Sequence, residues 1–263
     1  MIRPGLVSIT FRQLSPAEIV DLAARSGLEA VEWGGDVHVP HGDLAAARRA
    51  AAVTRDAGLS VAAYGSYYRV GEDDQPPFET ILETAVELGA DLIRVWAGSR
   101  GSADADDAFR GRVAGETRRI ADLAAAENIR IVYEWHGGTL TDTTESGVAL
   151  LRAVGHGNVG TYWQPPGGMT IEQCLGAVDA VAQWLGGLHV FAWHRETGER
   201  LPMSDGRDRW PKYLARAAAT AKRDMYALLE FVPDNDPAVL PRDAATLRRW
   251  LGAAGAADRS RPA

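Results

Sequence analysis

The chain has 263 residues, 46% of them hydrophobic, and a formal net charge of −7, with an isoelectric point near 5.4. That length suits one large α/β domain, and the acidic balance disfavours a protein that grips nucleic acid, which needs a basic face. Cys174 is the only cysteine, so no intrachain disulfide forms. No apolar run approaches the roughly 18–20 residues of a membrane span, and Met1–Thr10 lacks a leader's apolar core and cleavage site. No membrane partner and a cytoplasmic location are therefore expected.

Strand-like and helix-like segments then alternate. Gly5–Phe11 reads as a strand, followed by a helix over Ser15–Ser26, with Ser15 suited to the N-cap, Pro16 to the first turn and Gly27 to the end. Leu28–Trp33 precedes the Ala-rich helix Leu44–Ala57, and Leu59–Tyr64 precedes Phe78–Leu88. Asp91–Trp96 leads to a long helix from about Asp106 to Glu127, and Ile129–Glu134 leads to Thr144–Val154. Val159–Trp163 comes before Ile171–Trp184, Leu188–Trp193 before Pro211–Lys222, and Met225–Phe231 before Ala238–Leu251. Parallel strands need crossover helices, and about eight such units favour a closed (β/α)8 barrel over 1–252. No Gly-rich phosphate fingerprint follows the first strand, as a doubly wound sheet would often show. Residues 253–263 read as a flexible tail.

The long connections follow the strands, at Gly34–Asp43, Gly65–Pro77, Ala97–Asp104, Gln164–Thr170 and His194–Trp210. Function is therefore expected at the C-terminal face of the barrel. Glu134, Gln164, His189 and Glu230 sit in or just after successive apolar runs, where they would ring one mouth as a divalent-metal site of mixed oxygen and nitrogen ligands. A carboxylate ending an apolar strand is costly unless paired, hydrated or metal-bound, so a salt bridge is the competing reading for Glu134 and Glu230. For His189 the competing reading is a satisfied core histidine, and His194, nearer the strand end, is the rival ligand. Alternation with Phe191 and Trp193 places His189 inward. Trp33, Trp96, Trp135, Trp163 and Trp193 lie near strand ends, where aromatic walls would suit a sugar or polyol.

From Leu6 to about Trp250 the chain resembles the xylose isomerase-like TIM-barrel superfamily. That resemblance implies a cation (Mn²⁺, Mg²⁺ or Co²⁺) held by a Glu after strand five, an Asp after strand six, a His on strand seven and a Glu after strand eight; these positions carry Glu134, Gln164, His189 and Glu230. Gln164 departs from the pattern. It replaces an anionic ligand with a carbonyl oxygen, which weakens the site and cannot serve as a base. The resemblance further assigns substrate contacts to Arg195, six residues after His189, and to His38 in the Val31–His38 motif. A His expected three residues after the Asp is Gly167 here, and His136 is the substitute. The implied enzyme is a sugar or polyol isomerase or epimerase, with Glu134 and Glu230 exchanging a proton through an enediolate. Trp33, Trp96, Trp163 and Trp193 would line its pocket, and a homodimer or homotetramer is expected. The alternatives are a dehydratase or lyase on a cyclic polyol or keto acid, and a metal-free sugar-binding relative. An endonuclease would need a basic groove that this acidic chain does not offer.

Overall fold

The computed structural model describes residues 1–194 and 197–259. Eight parallel strands close into a barrel in the order β1-β10-β7-β6-β5-β4-β3-β2. These are β1 (Ile2–Val7), β2 (Ala30–Gly34), β3 (Ser60–Arg69), β4 (Leu92–Trp96), β5 (Arg130–Glu134), β6 (Val159–Trp163), β7 (Leu185–Val190) and β10 (Met225–Leu229). The intervening β8 (Ala192–Trp193) and β9 (Arg200–Leu201) form a small antiparallel hairpin over the barrel mouth. Eight helices wrap the outside: α1 (Pro16–Arg25), α2 (Leu44–Asp56), α3 (Phe78–Leu88), α4 (Asp107–Ala126), α5 (Thr144–Val154), α6 (Ile171–Val181), α7 (Trp210–Thr220) and α8 (Leu240–Arg259).

Local chemistry explains the boundaries. Ser15 and Glu18 form a reciprocal capping box that starts α1, and Pro16 fills its first turn. Thr170 and Gln173 do the same for α6. Removing the Ser15 hydroxyl should cost about 1 kcal/mol, read as a shift in the urea midpoint of Ser15→Ala. Gly89 ends α3 at φ 71°, a left-handed conformation that only glycine adopts cheaply.

The expected strand Leu59–Tyr64 runs on to Arg69, the one over Leu188–Trp193 leaves the barrel after Val190, and other boundaries differ as well. Ser8–Phe11, expected as strand, is a buried 3-10 turn. It brings Thr10 Oγ1 to accept from the Phe231 amide at 3.1 Å. Phe231 itself leaves the last barrel strand at φ 60°, so Glu230 stands just past the strand end. β7 begins three residues early, at Leu185, because Gly186 and Gly187 masked its hydrophobic pattern. Finally, α8 runs to Arg259 rather than giving way to an irregular tail at 253; the alanine-rich stretch after Gly252 has strong helix propensity.

The core has two layers. Leu6, Val31, Ile93, Ile131 and Leu188 face outward against the helices. Val7, Ala30, Ala63, Val132, Tyr162 and Leu228 fill the barrel interior. Period-two alternation then carries the inward face from these apolar residues to polar ones toward the strand ends: Ala30 to Glu32, Val132 to Glu134, Leu228 to Glu230.

Candidate active site

Glu134, His189 and Glu230 converge at the C-terminal mouth. Each offers one ligand atom, and those atoms all lie within 4.8 Å of one another. His189 Nδ1 stands 3.5 Å from Glu134 Oε1 and 3.6 Å from Glu230 Oε2. It makes no hydrogen bond although it is buried. The other ring nitrogen, Nε2, lies 3.2 Å from Glu32 Oε2. With Nε2 donating to Glu32, the Nδ1 lone pair of a neutral ring is aimed at the carboxylate pair. Gln164 donates through Nε2 to the Trp135 carbonyl at 2.5 Å and to Glu134 Oε1 at 3.4 Å. That leaves its Oε1 buried without a partner. Two orphaned buried acceptors beside two carboxylates fit a divalent cation.

Two charged residues in this cluster were not read as site residues from the sequence. Arg94 on β4 and Glu32 on β2 are essentially inaccessible, at 1% and 0% exposure. Arg94 Nε donates to Glu32 Oε1 at 2.7 Å, and its Nη1 donates to Glu134 Oε2. Trp96 Nε1 donates to the same Glu134 oxygen at 2.5 Å. The signal was available: a lone charge inside Ile93-Arg94-Val95 or Val31-Glu32-Trp33 is the same anomaly that marked Glu134.

These contacts set the protonation states. Burial raises the Glu134 carboxyl, but Arg94, His189 and Trp96 outweigh it and hold it well below the usual carboxylate range. Glu32 is also lowered, because Arg94 and His189 overcome its burial. Burial pushes Glu230 up to about 7, opposed by His189 and reinforced by Glu134. For His189, burial lowers the value, yet Glu230, Glu32 and Glu134 together raise it to about 10. In the metal-free site an imidazolium proton thus does the work of a cation. Metal binding must displace that proton, and part of the Glu230 proton near neutrality. Affinity for Mn²⁺ should therefore rise by about tenfold per pH unit for each proton released. Titration calorimetry in buffers of different ionisation enthalpy measures that release; pH-independent affinity would contradict it.

A cavity of about 620 Å³ opens over the cluster. Glu134, Gln164 and Glu230 reach it, as do His136, Trp96 and Trp193. His136 stacks on Trp96 with ring centroids 4.6 Å apart. Tyr67 and Phe231, both held at positive φ, also line it. Strained non-glycine backbone of this kind gathers at functional sites.

Three expected substrate contacts lie elsewhere. Trp33 is fully buried on the outer barrel face, its indole donating to Thr54 Oγ1 at 3.1 Å. Trp163 is likewise buried, packed edge-on against Trp210 and Tyr213. Both directly follow inward-facing residues, so alternation turns them outward. His38 is off the cavity wall, its Nδ1 3.0 Å from Ser8 Oγ, because the 3-10 turn claims it. Arg195 lies outside the described residues. His194 lines the cavity, but its Nδ1 accepts from the Thr197 amide at 3.3 Å and it is not among the clustered ligands.

The chain belongs to the xylose isomerase-like TIM barrel family, whose sequence profile matches residues 20–254. It is an enzyme of that fold. A 3-dehydroshikimate dehydratase from Bacillus anthracis is 29% identical over 166 residues, and the match spans 59% of this chain and 59% of that relative's length. Among solved structures, the probable 3-DHS dehydratase AsbF of Bacillus anthracis, involved in petrobactin synthesis, superposes with a TM-score of 0.77 at 22% identity, covering 94% of this chain and 99% of that one. D-psicose 3-epimerase solved with D-fructose gives 0.73 at 18% identity, over 95% and 100% of the two chains. At such identities the two superpositions establish the fold. No helix among the described residues is long and apolar enough to cross a membrane.

Proposed function

We propose that this enzyme removes a proton beside the carbonyl of a small polyhydroxylated acid and expels a neighbouring hydroxyl as water. The observation that carries this reading is the inequality of the two carboxylates. Glu134 is fully engaged: Arg94 and Trp96 hold Oε2, while Gln164 and His189 face Oε1. Glu230 has His189 as its polar neighbour at 3.6 Å and otherwise faces the cavity. A carboxylate with both oxygens engaged is a poor proton carrier, whereas one with an oxygen open to the substrate is a good one. Elimination needs one such base; epimerisation needs two, on opposite faces of the carbon.

Glu134, His189 and Glu230 would hold the cation, with Gln164 Oε1 beside them. When bound, it supplies Lewis-acid stabilisation of negative charge on the substrate oxygen. Glu230 takes the proton through its cavity-facing oxygen. The departing hydroxyl leaves with a proton from Glu230 or from His136, which stands on the same wall. Phe191 and Trp193 bring aromatic surface to the cavity wall. Arg209 lines the cavity with its Nε buried, free of hydrogen bonds and 3.5 Å from Asp208. That guanidinium suits a substrate carboxylate, which a neutral sugar lacks. The likeness to a 3-dehydroshikimate dehydratase supports the same substrate class.

Ketose epimerisation is the second reading. It is favoured by the approach of both carboxylates to one ring nitrogen, which would let Glu134 serve as the second carrier. NMR in D₂O separates the two. With Mn²⁺-loaded protein, 3-dehydroshikimate should lose water to an unsaturated product, while D-psicose stays unchanged. Deuterium entering an epimerised ketose at constant mass of skeleton, with no dehydration of the acid, would replace the first reading by the second. Absence of bound metal after loading would count against both readings.

A further inference from the structure

We propose that Glu32 is a positioning residue of the cation site, one that makes Nδ1 the ligating nitrogen of His189. The inference rests on the cation set of the proposed function and not on the choice between elimination and epimerisation. Glu32 stands on β2 and His189 on β7, with β1 and β10 between them round the closed ring. Both side chains are fully buried. Glu32 is not on the cavity wall, so it acts on its neighbours and not on substrate. Its two oxygens are divided between those neighbours. Oε1 accepts from Arg94 Nε at 2.7 Å, and Oε2 lies 3.2 Å from His189 Nε2. An ionised carboxylate only accepts, so in a neutral, ligating ring Nε2 carries the proton. The lone pair is then left on Nδ1, the nitrogen 3.5 Å from Glu134 and 3.6 Å from Glu230.

The surroundings hold this arrangement. The Arg94 guanidinium stays charged and grips Glu134 as well. One side chain therefore fixes a ligand and also the carboxylate that orients a second ligand. Gly65 on β3 makes the room. A Cβ there would stand 2.6 Å from Arg94 Nη2 and 2.8 Å from Glu32 Oε1, so any side chain at this position would push the pair apart. The Tyr162 ring meets His189 edge-on, with centroids 5.3 Å apart and planes at 80°, which supports the imidazole on another side. A buried carboxylate is costly as a mere packing group. Here it orients a ligand, and outer partners of this kind set the basicity and direction of a metal-binding histidine.

Glu32→Gln tests the role. Arg94, being charged, keeps the amide oxygen, which turns the amide NH₂ toward His189 Nε2. Two donors then face each other unless the imidazole proton moves to Nδ1, where it blocks the cation. The probe is Zn²⁺, which is diamagnetic and suits imidazole and carboxylate ligands. In protein carrying ¹⁵N-histidine, long-range proton–nitrogen spectra show which ring nitrogen bears the proton, and the His189 signals are those lost in His189→Gln. Zn²⁺-loaded wild type should hold the His189 proton on Nε2. Titration calorimetry should give Glu32→Gln a Zn²⁺ affinity about 10–100-fold weaker, with urea unfolding in chelator reading the structural cost of the change separately. Ligation through Nε2 in the wild type, or an unchanged affinity in the variant, would overturn this role alone. A wild type that takes up no Zn²⁺ would overturn it together with the cation site of the proposed function. Should Glu32→Gln not fold, the wild-type spectrum decides by itself.

Discussion

Glu230→Gln should reduce turnover by about 10³-fold or more without unfolding the barrel. The amide keeps the volume and one acceptor oxygen but cannot take a proton, and it weakens the cation site by one negative charge. The fold should tolerate it for a reason peculiar to this carboxylate. Its folded value lies near 7, above the ordinary one, so its ionised form is disfavoured by folding. That penalty grows as pH rises from the unfolded value, about 4.3, to about 7, and then stays constant. The amide does not carry it. In chelator at pH 8 the variant should therefore melt at or above the wild-type temperature, while its Mn²⁺ affinity falls by about 10–100-fold. Retention of more than about a tenth of wild-type turnover in saturating Mn²⁺ would remove Glu230 from its role as base. A collapse of the melting temperature in chelator would show that the buried carboxylate is structural.

The barrel was legible because its signals are local. Capping residues, helix-ending glycines and apolar runs of strand length occur in strict alternation, and each reports only on its own neighbourhood. Glu134, His189 and Glu230 were legible for a related reason, since a polar residue at the end of an apolar run is anomalous wherever the partner lies. The same alternation governs the tryptophans. Trp33 and Trp163 follow inward-facing Glu32 and Tyr162, so the alternation that turned His189 inward turns these two indoles outward. His38 depended on the path of the Gly34–Asp43 connection, which no periodicity specifies. The pairing of Arg94 with Glu134 across 40 positions is a further kind of information. One sequence marks both residues as misplaced charges but does not say that each is the other's solution.

Arg94→Met should destabilise the protein by about 3–5 kcal/mol, the largest stability effect expected of any single replacement here. The guanidinium bridges Glu32 and Glu134 with almost no exposure of any of the three groups, so its loss leaves two buried carboxylates sharing a site. Arg94→Lys should recover only part of the loss, because a point charge cannot fork between two acceptors. The same bridge fixes the pH dependence. Both carboxyls are lowered in the folded protein, so the stability they contribute is present above their unfolded value, about 4.3, and is lost as pH falls through the lowered folded values. Without Arg94 burial dominates and raises both, so on acidification from pH 7 toward that value the variant should gain more stability than the wild type, whose gain there comes from Glu230 and His189 alone. Urea unfolding of the chelated proteins at pH 7 and pH 5 reads both effects. A loss under about 1 kcal/mol with an unchanged pH slope would mean that the two acids find other partners. Glu134 would then be free to carry protons, and the inequality between the carboxylates that favours elimination over epimerisation would disappear.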